Sequence, residues 1–99
     1  MTYADTTRRQ AFIAGLRALA DFLESNPGVP VPDHTTDVLV FPPSGSYDEK
    51  KREIDIIASR IGSGTENSRG GHYMASRRFG PVEYCAVAIP ADQTRSNER

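Results

Sequence analysis

The sequence predicts an α+β fold in the order helix–strand–helix–strand–strand, with a three-stranded sheet and both helices mainly on one of its faces. Three observations carry this prediction. Phe12, Leu16, Leu19 and Leu23 recur at helical spacing, and so do Ile54, Ile57, Ala58 and Ile61. Asp37-Val38-Leu39-Val40-Phe41 is a short apolar run between turn-forming residues. Two further runs, 72–79 and 82–89, flank Gly80-Pro81 as the arms of a hairpin.

In the first helix, Thr7 and Gln10 match the spacing of a capping box, in which a hydroxyl and a carboxamide satisfy each other's orphan N–H groups. Ile13 and Ala20 widen its apolar stripe, and Arg8, Arg9, Arg17, Asp21 and Glu24 supply the wet side. Asn26-Pro27-Gly28 ends it, because Pro27 lacks an N–H and pushes the residue before it out of helical space. Val29-Pro30-Val31-Pro32 is then an extended connector, with φ set at alternate residues.

The run 37–41 reads as a strand buried on both faces and stopped by Pro42-Pro43. Ser46 and Glu49 form a second capping box, Asp48 adds charge of the favourable sign, and Gly62 is a suitable C-terminal stop. Residues 62–71 read as a flexible loop.

Pairing Phe79 with Val82 sets Arg78 opposite Glu83, a favourable cross-strand pair. One face of the hairpin then carries Tyr73, Ala75, Arg77, Phe79, Val82, Tyr84, Ala86 and Ala88. The other carries His72, Met74, Ser76, Arg78, Glu83, Cys85, Val87 and Ile89. Gly-Pro is not a favoured two-residue loop, so a longer turn stays open, and a one-residue slip would exchange the faces. The prediction is one ordered domain over 4–90, with 91–99 as a disordered tail that lacks large apolar residues.

Ninety-nine residues make one domain with a small core: four Phe, six Ile, four Leu and six Val. So short a chain has a thin margin of stability, which favours a homodimer or a partner complex. A net charge of −1 keeps the chain out of the disordered class and argues against broad electrostatic capture of nucleic acid. A single cysteine permits no internal disulfide, the N-terminus lacks a signal pattern, and no apolar run approaches the ~20 residues of a membrane span. The expected location is the cytoplasm.

No chemical motif emerges. Cys85 and His72 share a face, but Cys85 opposes Ser76, which lies about 13 Å along the strand from His72, too far for a nucleophile and its base. Cys85 is better explained as a small buried hydrophobe. Asp33, His34 and Asp37 cluster without metal-ligand spacing, and the loop 42–46 lacks the glycines and Lys-Ser/Thr pair of a phosphate loop. Neither a catalytic residue, a metal nor a cofactor is expected.

The hairpin offers two candidate surfaces. Tyr73, Phe79 and Tyr84 with Arg77, joined by Arg69 and Arg78, have the composition of a base-stacking nucleic-acid site. The simpler reading of that face is packing, since Ala75, Ala86 and Ala88 leave room for a helix framed by aromatics. The other face, with Met74, Cys85, Val87 and Ile89, is then the candidate protein interface.

The stretch Ala11-Phe12-Ile13-Ala14-Gly15-Leu16-Arg17-Ala18-Leu19-Ala20-Asp21-Phe22-Leu23-Glu24, running into Pro27-Gly28-Val29-Pro30-Val31-Pro32, resembles the opening of a family of small actinobacterial and actinophage proteins. Gly70-Gly71-His72-Tyr73 and Arg77-Arg78-Phe79-Gly80-Pro81-Val82-Glu83-Tyr84 resemble its close, so the likeness covers most of 10–90. It implies a bacterial or phage accessory protein working inside the host cell, and it brings no catalytic residues with it. The expected function is a non-enzymatic protein-interaction or regulatory module, with a second copy of the chain among its candidate partners. A nucleic-acid-binding accessory protein is the alternative.

Overall fold

The computed structural model describes residues 3–90. Its elements are α1 (Thr6–Ser25), β1 (Thr36–Val40), α2 (Tyr47–Ile61), β2 (Glu66–Asn67), a 3-10 turn (Arg69–Gly71), β3 (Tyr73–Phe79) and β4 (Val82–Ala88). The fold class is α+β, with two helices and one mixed sheet of four strands rather than three, in the order β1-β4-β3-β2. The chain has two compact units, Tyr3–Asp33 and another that begins at His34. The expectation of a disordered tail over 91–99 lies outside the described residues.

In the unit that begins at His34, β3 and β4 pair antiparallel in the predicted register, Phe79 with Val82 and Arg78 with Glu83. The loop between them is only two residues long. Gly80 has φ +61, and the ring of Pro81 holds its own φ negative. That sign pattern belongs to the type II′ turn, whose twist matches the flanking strands, so no longer loop is needed.

β1 runs parallel to β4, Val38 beside Tyr84 and Val40 beside Ala86. It is an edge strand, not one buried on both faces. Leu39 and Phe41 are about half exposed, while Val38 and Val40 are partly covered. Thr36 N donates to Pro81 O at 2.8 Å, and Arg78 Nη2 donates to Thr35 Oγ1 at 3.0 Å. Both bonds tie the start of β1 to the hairpin.

The fourth strand, β2, pairs Glu66 with Met74 and Asn67 with Tyr73. Its two polar residues show no period-2 apolar pattern, so the sequence reads them as loop. The return to β3 goes through Gly70 and Gly71, at φ +81 and +80, a region open to glycine at no steric cost. Ser68 N closes that return on His72 O at 2.8 Å, and Tyr47 Oη of α2 donates to Gly71 O.

α2 begins at the capping box expected of it. Glu49 N donates to Ser46 Oγ at 3.2 Å and Ser46 N to Glu49 Oε1 at 2.7 Å. Gly62, at φ +72, closes its other end in the left-handed conformation. α2 then lays Ile54 and Ala58 on a floor of Ala75, Ala86 and Ala88, with Tyr47, Ile57, Ile61, Tyr73 and Tyr84 packed around them. Methyl side chains bring the helix axis close to the sheet, and Ile54 fills the space completely, at 0% exposure.

The unit Tyr3–Asp33 is a single helix and its trailing segment. The cap of α1 is Asp5 rather than Thr7, its carboxylate accepting from Arg8 N at 2.9 Å. An ionised acceptor outranks a threonine hydroxyl at this position. Asn26 closes the other end, its Nδ2 donating to Phe22 O at 2.8 Å. α1 contains no buried residue.

Two predictions follow from this packing. Ile54→Ala should cost about 2–5 kcal/mol in urea denaturation, because rigid β3 and β4 cannot collapse onto the vacated volume. Ser46→Ala should cost about 1 kcal/mol by loss of the cap. The Ser46 backbone N–H and hydroxyl hold the Glu49 carboxyl below its ordinary value. Its contribution is therefore complete above the ordinary carboxylate range and is lost as pH falls through the lowered pKa. An NMR titration of the Ser46 amide should show that midpoint, and Ser46→Ala should raise it.

Candidate functional site

The two faces of the hairpin are unequal. The aromatic face lies against α2 at Ala75, Ala86 and Ala88, with Tyr73 and Tyr84 packed beside them, while Phe79 at its end is 58% exposed. Tyr73 is held from three directions. Its hydroxyl donates to Asp55 Oδ1 at 2.6 Å and shares a second hydrogen bond with Thr65 Oγ1 at 2.9 Å. A phenol has one proton and a carboxylate only accepts, so the Thr65 hydroxyl is the donor of that second bond. The Lys51 ammonium sits 5.7 Å from the Tyr73 ring centroid and 4.9 Å from that of Tyr47. An aromatic so enclosed has no free face to offer a nucleobase.

The other residues of the nucleic-acid alternative are similarly engaged or dispersed. Tyr84 packs against the α2 core. Arg77 Nη1 donates to Ile61 O at 3.3 Å, placing a cation at the negative end of α2, and its guanidinium lies 5.3 Å from the Phe79 ring. Arg78 points to the reverse face and binds Thr35, and Arg69 falls in the 3-10 turn.

The reverse face is also different from its expected form as an apolar docking surface. Cys85 and Val87 are buried, each 6% exposed, and Met74 and Ile89 are half-buried. β4 is an inner strand, so in register Cys85 lies between Leu39 and Ser76, and Val87 lies beside Met74. Short side chains flanked by longer ones leave little apolar area open to a partner. One end of this face is charged instead. Asp37 stands opposite Glu83, an unfavourable pairing of like charges, and Glu83 is opposite Arg78 on its other side.

Burial, then the carboxylates of Glu83, Asp37 and Glu66, push the Cys85 thiol above its ordinary value. A thiol kept protonated is a poor nucleophile, in keeping with its reading as a small hydrophobe. A shallow depression of about 230 Å³ lies at the β2–β3 edge, lined by Ser63, Gly64, Thr65, Glu66, Met74 and Ser76. It is smaller than the roughly 300–1,000 Å³ of typical ligand clefts.

Among the described residues, a row of exposed apolar side chains lies on α1. Phe12, Leu16, Leu19 and Phe22 are each about half exposed, and Val29 and Val31 continue the exposure beyond the helix. The helical period of this stripe is plain in the sequence, but periodicity shows only that a face is apolar and not what covers it. Among the described residues, no helix is long and apolar enough to cross a membrane. No family model matches the chain, nor does any curated protein or solved structure.

Cys85 gives a direct check of this geometry. In native protein it should react with an aromatic disulfide reagent far more slowly than in urea. Because its pKa is raised in the fold, the stability it contributes is complete below the ordinary thiol range and declines as pH rises through the raised value. Urea midpoints should therefore fall more between neutral and alkaline pH in the natural chain than in Cys85→Ala.

Proposed function

We propose that this chain is a non-enzymatic protein-interaction module, a bacterial or phage accessory protein, whose docking element is α1. The observation that carries the reading is the stripe Phe12, Leu16, Leu19 and Phe22, uncovered along a 20-residue helix with no buried residue. An isolated helix of this length is marginal in water, and most helical stability in proteins comes from packing an amphipathic face. A contiguous apolar stripe rimmed by Arg8, Arg9, Arg17 and Glu24 has the anatomy of an interface core with a polar rim.

The unit that begins at His34 has a core of its own, closed by α2, with Tyr47, Tyr73 and Tyr84 packed around Ile54 and Ala58. The reverse face of the hairpin is the weaker candidate, because Cys85 and Val87 are buried there and Asp37, Glu83 and Arg78 form a charge row at one end.

The test is whether the stripe behaves as surface or as core. In urea denaturation, at concentrations where sedimentation shows one chain, Leu19→Ser should change stability by no more than about 0.5 kcal/mol, as at other surface positions. A loss of about 2–5 kcal/mol, the cost of truncating a core leucine, would put the stripe inside the fold and overturn the reading.

A further inference from the structure

Resting on that reading, we infer that the occupant of the stripe is the α1 helix of a second copy of this chain, packed antiparallel. Phe12, Leu16, Leu19 and Leu23 follow the 4-3-4 spacing of a coiled-coil seam. Antiparallel pairing of such a seam sets Phe12 against Leu23 of the second copy and Leu16 against its Leu19. The same register brings like edges of the two helices together, and on each edge a large side chain meets a small one. Ile13 faces Ala20 of the other helix on one edge, and Phe22 faces Gly15 on the other.

Gly15 is otherwise unexplained. A mid-helix glycine weakens a helix relative to alanine, and a Cβ there would meet nothing within 4 Å in the single chain. Seating the Phe22 ring of a second copy supplies the missing reason.

The charges agree with this arrangement. α1 has no acidic residue in its first turn and no basic residue in its last, so its ends are not matched to its own macrodipole. Instead Arg8 and Arg9 stand near the positive end and Glu24 near the negative end. In the antiparallel pair Arg9 comes beside Glu24 of the other helix, and both arginines approach that helix's C-terminal carbonyls. A parallel pair would set Arg9 on Arg9 and bring unlike edges together, with Gly15 beside Ala20, losing both the charge match and the seat for Phe22.

The experiment uses the full chain. Sedimentation equilibrium should show a reversible two-chain mass. Arg9→Glu and Glu24→Arg should each weaken association about tenfold or more, since attraction becomes repulsion at both ends of a two-fold pair. Mixing the two variants should restore most of it. Orientation is read by oxidation in a Cys85→Ala background. Phe12→Cys mixed with Leu23→Cys should cross-link, while either alone should not, because like positions lie about 16 Å apart along the pair. Like-with-like cross-links, or no effect of the charge variants, would overturn the antiparallel pair. A one-chain mass at all concentrations would remove the second copy as occupant, whereas α1 as docking element stands or falls separately on Leu19→Ser.

Discussion

The close approach of α2 to the hairpin is the constraint on which the rest of the structure depends. Ala75, Ala86 and Ala88 present a floor of methyl groups, and Ile54 and Ala58 descend onto it. Dispersion and burial both improve steeply as that gap closes. The same approach explains the perimeter. With the helix held low, Tyr73 and Tyr47 reach past it to Asp55, Thr65 and Gly71, and Arg77 reaches the carbonyl end of α2. The hydrogen bonds of the periphery depend on geometry set by the apolar centre.

That economy has a consequence for function. A core filled by one isoleucine and several alanines is fully occupied by one helix, and it uses the side chains that would otherwise read as a nucleic-acid platform. On the reverse face Cys85 and Val87 are buried on the inner strand β4. α1 also carries an apolar stripe at helical spacing but, unlike α2, has no buried residue.

Several features were legible because they are local. The Ser46–Glu49 capping box, the αL Gly62 and the pairing of Arg78 with Glu83 depend on residues a few positions apart, where chemistry leaves few alternatives. The alanine floor was legible too, since period-2 alternation places Ala75, Ala86 and Ala88 together once the hairpin register is known. Features that depend on distant partners were not. β2 has two polar residues and exists only because β3 offers it an edge. β1 reads as a doubly buried strand from its composition, but its place at the sheet margin leaves Leu39 half exposed. At the start of α1, an aspartate two residues before the predicted box took the cap because its charge makes the stronger acceptor.

By itself, then, the sequence determined the two helices, β1 and the hairpin strands, both ends of α2, and which hairpin side chains share a face, because these follow from the 3.6- and 2-residue periods of the backbone and from hydrogen bonds within one turn. Tertiary structure alone decided which apolar face is covered and by what. Periodicity is a property of one element, whereas burial is a property of two, and α1 and α2 carry the same signal with opposite outcomes.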